Sequence, residues 1–247
     1  MKYNYNIQED FIAFKEYLLD IQAYFRQNNT TIHKARNELK IININSLDTV
    51  VKSFKVPNIF RKIIYTYFRD SKAKKSYEYS VKLKDFTPSP IGYIEFYIKS
   101  LINDSYFISE RFDYDFTIRE PLLDDGFKNK EAILRALARF SLQLHNQGIF
   151  HDDYSPGNIL IKKEDSHFIF KIVDVNRMKF FDLKQKDRAK NFSKLWASDD
   201  ELKIIADEYS KYYSSSEDFA KQMCYYSNKN KRIKNFKKRL KGKPVND

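Results

Sequence analysis

Along the first 110 residues the apolar positions change period several times. Phe11, Phe14, Leu18, Ile21 and Phe25 recur at helical spacing and predict an amphipathic helix over residues 8–25. From Thr31 to Phe54 the pattern turns into short β-rich runs at 31–34, 39–44 and 49–54, with Asn45-Ser46-Leu47-Asp48 as the turn between the last two. These runs predict a small antiparallel meander. Pro57 interrupts it, helices are expected over 59–68 and 72–84, and Pro88 and Pro90 precede two further strands at 91–99 and 105–110.

After Glu110 the character changes. Ala132, Ile133, Ala136, Leu137, Phe140 and Leu144 form a broad apolar face on a helix that runs to about His145, with Asn129 placed to cap it. Strands are expected at 159–162 and 168–173, and the rest of the chain is helical in pattern. The fold class is therefore α+β, with residues 1–110 sheet-rich, residues 111–247 helix-dominated, and a change of architecture near 110–114 within one compact unit.

Composition narrows the class. The chain has 247 residues, 42% of them apolar, enough for one large domain or two small lobes with real cores. A single cysteine, Cys224, excludes an intramolecular disulfide and any zinc cluster built on several thiolates. No long uncharged apolar run is present, and Glu9, Asp10, Lys15, Glu16 and Asp20 fall where a signal peptide would need an apolar stretch. A cytoplasmic chain is expected. The formal charge of +12 is uneven, since Lys229 to Lys243 holds nine Lys/Arg and no acid, leaving about +3 elsewhere. Ile233, Phe236 and Leu240 would share one face of a helix there. Such a segment reads as a solvated helix end, as a contact for an anionic membrane surface, or, least in keeping with the pattern, as a nucleic-acid contact.

The chemistry concentrates in His151-Asp152-Asp153-Tyr154-Ser155-Pro156-Gly157-Asn158-Ile159-Leu160 and in Ile172-Val173-Asp174-Val175-Asn176. An Asp is followed by an Asn five residues on and by a second Asp at the end of a hydrophobic strand. Phosphoryl transfer needs such a set: a carboxylate to take the proton of an attacking hydroxyl, and oxygen ligands to hold Mg²⁺ on nucleotide phosphates. Together with the preceding Leu144-His145-Asn146-Gln147-Gly148-Ile149, these residues resemble the catalytic loop and metal-binding Asp of the protein-kinase-like superfamily.

That resemblance implies a bilobal fold, a small N-lobe with an antiparallel sheet and a compact helix-rich C-lobe. It makes Asp153 the catalytic carboxylate, Asn158 and Asp174 the Mg²⁺ ligands, and His151 a structural brace; His145 reads as a satisfied structural histidine. It also calls for a Lys on a strand and a Glu on the following helix to serve ATP. Lys52 in Val50-Val51-Lys52 fits, with Lys55 as the competing choice, and Glu78 lies on the expected helix. Ser109-Glu110-Arg111-Phe112 then falls where an interlobe hinge presents backbone groups to adenine, through Glu110 and Phe112.

The loop His33-Lys34-Ala35-Arg36-Asn37-Glu38 has no glycine, so Arg36 and the local backbone are the candidates for phosphate contact. Only 73 residues follow Asp174, with no Ala-Pro-Glu segment, which disfavours a protein substrate. The pattern resembles the lipopolysaccharide kinase family, Kdo/WaaP-like and InaA-like proteins that phosphorylate Kdo or heptose of the lipopolysaccharide inner core. The matching segments are Arg36-Asn37, Val51 to Phe54, Ser71-Lys72-Ala73, Thr87-Pro88, His151 to Leu160, Asp174 to Arg177, and Asn191-Phe192 to Leu195-Trp196. The implied cofactors are ATP and Mg²⁺, and the implied acceptor is a lipid-linked sugar. Other kinase-fold enzymes acting on small molecules or proteins, and a pseudokinase-like binding module, are the alternatives.

Overall fold

A computed structural model describes residues 2–34, 37–55, 58–165, 167–214, 218–242 and 244, with backbone alone for 33 and 34. Arg36, Pro57 and Lys243 lie outside the described residues. The chain divides into two compact units, Met1–Asp113 and Tyr114–Asp247.

The first unit is built on a six-stranded antiparallel sheet in the order β1-β5-β6-β4-β3-β2. Strand β1 is Lys2–Ile7, an edge strand that the sequence pattern did not predict. The expected helix over 8–25 is broken into a 3₁₀ segment Glu9–Phe14 and two short helices, α1 (Lys15–Leu19) and α2 (Ile21–Gln27), which part at Asp20. Strands β2 (Thr31–Lys34), β3 (Asn37–Ile44) and β4 (Leu47–Phe54) form the meander. The β3–β4 turn is tighter than expected: only Asn45 and Ser46 lie outside the strands, both at positive φ (50° and 64°), while Leu47 and Asp48 already pair with β3. Two residues of positive φ match the right-handed twist of the flanking strands. Helices α3 (Ile59–Tyr67) and α4 (Lys72–Leu83) follow, each capped by a side chain, Asn58 and Ser71 respectively. Strands β5 (Pro90–Ile98) and β6 (Leu101–Glu110) complete the sheet.

Alternation along β4 gives the sheet two differently covered faces. Val51 joins Leu18, Ile21, Ile94 and Ile108 in the larger core, which α1 and α2 cover. Phe54 packs with Ala73 and Tyr77 of α4 and Tyr93 of β5 on the other face. Gly92 lets β1 and β5 approach, since a Cβ there would stand 2.7 Å from the Asn6 carbonyl oxygen.

In the second unit, β7 (Phe116–Thr117) and α5 (Arg119–Leu123) precede α6 (Lys130–Asn146), which buries Ile133, Leu134, Leu137, Phe140 and Leu144. Asn129 stands at the start of α6 as expected but does not cap it: its φ is 64° and its side chain makes no capping bond. Strands β8 (Ile149–His151), β9 (Ile159–Glu164), β10 (His167–Ile172) and β11 (Met178–Phe180), with β7, form two small sheets, β10-β9-β7 and β11-β8; β7, β8 and β11 are absent from the sequence-based expectation. Gly148 at φ 71° turns the chain from α6 into β8, where a Cβ would meet the Phe181 carbonyl at 2.8 Å.

Helices α7 (Gln185–Asn191), α8 (Asp199–Ser210) and α9 (Phe219–Arg239) close the unit. The basic tail begins in the distal part of α9. Its near part is docked, because Phe219, Met223 and Ser227 are buried and Asn230 and Lys231 donate to the carbonyls of Ser193 and Ala197 at 2.9 and 2.8 Å. Beyond that point Ile233, Phe236 and Leu240 are exposed. Among the described residues no helix is long and apolar enough to cross a membrane.

Candidate active site

The segment between β8 and β9 is a loop whose every turn is tied down. His151 is buried, and burial lowers its pKa below the ordinary imidazole range, so the ring is neutral. Its Nδ1 accepts from the Asp153 amide at 3.0 Å, which leaves Nε2 to carry the proton and donate to the Val173 carbonyl at 3.1 Å. One histidine thereby ties the Asp153 turn to the strand end that leads into Asp174. The Asn158 side-chain amide donates to the Asp153 carbonyl at 2.9 Å, and the Val173 amide donates to the Asn158 carbonyl at the same distance. Asp153, Asn158 and Asp174 are thus brought together within the second unit through backbone bonds between their own segments.

Two neighbours complete the local electrostatics. Arg177 places a guanidinium nitrogen 3.6 Å from Asp153 Oδ2, both groups being partly exposed. Asp174 sits in the left-handed region at φ 59°, and its Oδ1 accepts from the Asn176 amide at 2.8 Å. Tyr154, almost fully buried, bonds Ser141 of α6 at 2.8 Å and pins the loop from below. Lys194 donates to the Asp152 carbonyl. The oxygen-only donor set of Asn158 and Asp174 suits a hard divalent cation such as Mg²⁺, and the Asn158 amide nitrogen, turned to the Asp153 carbonyl, leaves its oxygen as the end that would face the ion.

Beneath the loop lies a buried polar chain that the sequence reading missed. Asn191 accepts the His151 amide on Oδ1 at 3.3 Å and donates to the His151 carbonyl at 2.9 Å, so one side chain satisfies both backbone groups of that residue. The same Oδ1 lies 3.1 Å from His145 Nε2, and His145 Nδ1 lies 2.8 Å from the Tyr209 hydroxyl, which in turn receives Arg188 at 3.0 Å. Burial pushes His145 down to about 3, so it is neutral, with Nε2 donating to Asn191 and Nδ1 accepting from Tyr209. The Asn191-Phe192 pair was noted as a motif, but His145, Asn191 and Tyr209 stand on three different helices.

In the first unit, Lys52 lies on β4 between Leu39 of β3 and Phe107 of β6, on the sheet face that α4 covers. Its ammonium stands over the Phe54 ring at 5.4 Å. Glu78 is on α4, about half exposed, and pairs with Lys74 at 3.7 Å. Lys55 falls just past the end of β4 and lines a cavity of about 390 Å³ with Asn58, Arg61, Tyr65, Ser71 and Lys72. At the end of β6 the amides of Glu110 and Arg111 are engaged by the carbonyls of Ser89 and Asp48, and Arg111 pairs with Asp48 and Asp113 at 3.0 and 2.9 Å. Phe112 follows, half-buried.

Part of the chain is similar to a known family. The model of the lipopolysaccharide kinase (Kdo/WaaP) family matches residues 120–215, the stretch that contains the loop, Asp174 and Asn191. No curated protein sequence matches significantly. Among solved structures, that of WaaP in complex with acyl carrier protein superposes with a TM-score of 0.59, covering 93% of this chain and 99% of that one at 14% identity. At that identity the likeness establishes the fold, which is protein-kinase-like, as the sequence resemblance implied. The family match over the catalytic segment and the shared fold make the chain similar to the lipopolysaccharide kinase (Kdo/WaaP) family, whose members are phosphotransferases.

Proposed function

We propose that the protein transfers the γ-phosphate of ATP to a sugar hydroxyl of the lipopolysaccharide inner core, on Kdo or heptose. The observation that carries this reading is the braced Asp153–Asn158–Asp174 loop inside the segment that matches the family. Asp153 orients the acceptor hydroxyl and takes its proton. Asn158 and Asp174 would hold Mg²⁺, whose contribution when bound is to neutralise charge on the transferring phosphoryl group. Arg177, beside Asp153, supplies positive charge near the same oxygens. Lys52 steadies the nucleotide phosphates with Glu78 as its helix partner, Arg36 adds a phosphate contact, and the backbone around Glu110 and Phe112 receives adenine.

The acceptor is lipid-linked in this reading, and the exposed Ile233, Phe236 and Leu240 with the lysines and arginines of Lys229 to Lys243 hold the protein at an anionic membrane surface on its cytoplasmic side. The test is incubation of purified protein with Mg-ATP and inner-core lipopolysaccharide, followed by mass spectrometry. A gain of one phosphate on the core sugar supports the proposal. Transfer only to a free small molecule or a protein would assign a different acceptor.

A further inference from the structure

Helix α3 is amphipathic in the reverse sense to a helix packed on a core. Its apolar side chains face solvent: Ile59 is 56% exposed, Phe60 75%, Ile63 40%, Ile64 41% and Tyr67 64%, and Phe68 just beyond it is 77% exposed. No residue of the helix is buried. The polar side chains instead turn toward the sheet. Lys62 donates to Asn103 of β6 at 2.7 Å, the Ile102 amide donates to Thr66 at 3.0 Å, and Arg61 and Tyr65 line the cavity with Ile102, Asn103 and Ser105. A helix spaces residues by 100°, so Ile59, Ile63, Tyr67, Phe60 and Ile64 fall within one continuous arc, with Arg61, Tyr65, Lys62 and Thr66 on the other. The helix is therefore tethered by its polar face and presents the apolar one.

The charge of the stretch of chain that carries the stripe selects its occupant. Between Lys55 and Lys75 stand seven Lys/Arg and one acid, Asp70, and that acid is already paired with Lys74 at 2.7 Å. A second copy of this chain would bring the same basic fringe and a net charge of +12 against itself. The stripe is also the outward face of a single helix resting on β6, whereas an apolar peptide partner asks for a groove. An outward apolar helix face within a basic stretch of chain fits a fluid anionic surface that closes around it, the arrangement of helices lying in the plane of a bilayer interface.

We propose that α3 is an interfacial membrane-docking helix, inserting Ile59, Phe60, Ile63, Tyr67 and Phe68 at the headgroup boundary of an anionic bilayer. It is separate in the chain from the basic end of α9 and belongs to the sheet-bearing unit. The physiological meaning rests on the lipid-linked acceptor proposed above; the docking itself does not depend on catalysis.

The test is co-sedimentation of the full-length protein with vesicles of phosphatidylcholine and phosphatidylglycerol, comparing wild type with Phe60→Ser/Phe68→Ser. Loss of two ring burials should lower the partition coefficient by about tenfold or more, while circular dichroism and the melting temperature stay near wild type because neither ring is packed. In a Trp196→Phe background, Phe60→Trp should show blue-shifted emission and quenching by brominated lipid. Unchanged sedimentation of the double variant, or emission from the Phe60→Trp variant that vesicles leave unaffected, would overturn the proposal. A concentration-dependent dimer that the double variant abolishes would overturn it in favour of self-association. Vesicle binding without sugar phosphorylation would leave α3 docking intact and refute only the acceptor assignment.

Discussion

Replacing Asn191 by Ala should damage the site from beneath without touching a reacting group. The side chain makes three buried hydrogen bonds, to the His151 amide (3.3 Å), the His151 carbonyl (2.9 Å) and His145 Nε2 (3.1 Å). Each buried group left without a partner costs about 1–3 kcal/mol, so the loss of three should cost about 3 kcal/mol or more where no water takes the place of the amide. That is a large share of the ~5–15 kcal/mol stability of an ordinary domain. Urea unfolding followed by the fluorescence of Trp196, which lies in the same unit, gives the free energy from midpoint and slope. Asn146→Ala is the control, because Asn146 is exposed and makes one bond, to Arg188 at 2.8 Å; its cost should stay below about 1 kcal/mol. In Asn191→Ala the ATP-dependent rate should also fall, since the His151 backbone fixes the amide acceptor of Asp153. A destabilisation no greater than that of Asn146→Ala would refute the brace.

Other expectations follow from the same geometry. His145 is held neutral with a pKa of about 3, whereas an unfolded imidazole protonates below about 6.5; stability is complete above that pH and declines as pH falls, by up to about 1.4 kcal/mol per unit. His145→Gln should flatten that decline in urea titrations between neutral and mildly acidic pH, and an unchanged slope would rule the histidine out as its source. Lys52→Met should weaken productive use of ATP in steady-state kinetics while Lys55→Met, past the strand end, does much less; the reverse order would mean the strand register has been misassigned to function. Changing Ile233, Phe236 and Leu240 to Ser, beyond the docked part of α9, should reduce sedimentation with anionic vesicles and leave ATP hydrolysis in place. Equal sedimentation would make that end of α9 a solvated helix.

The parts of the molecule that could be read in advance are those written in contiguous residues. His151 to Leu160 and Ile172 to Asn176 hold the loop and both candidate metal ligands, and their spacing survives any error in element boundaries. The meander of β3 and β4 was legible from β-branched alternation. Strand β1 was not, because Lys2–Ile7 is an edge strand whose inward residues, Tyr5 and Ile7, are only half-buried amid Asn and Lys. Asn129 misled because a capping residue type marks a helix start without fixing its φ. The buried chain under the loop joins His145 to Tyr209, 64 residues apart, and a single sequence carries no signal for such a pairing. Helix α3 shows another limit: the pattern predicts a helix at 59–68, but nothing in it says that the polar side makes the anchoring bonds and leaves the apolar side outside.

In the proposed reaction Asp153 is the group that serves the acceptor hydroxyl. Its most direct measurement is phosphate transfer from labelled ATP to inner-core lipopolysaccharide by wild type, Asp153→Asn and Asp174→Asn, with circular dichroism confirming that all three are folded. Wild type should label the core sugar. Asp153→Asn should fall by roughly 10² to 10⁴ while nucleotide binding persists, and Asp174→Asn should lose transfer through the metal. Turnover near wild type in Asp153→Asn would contradict the central claim.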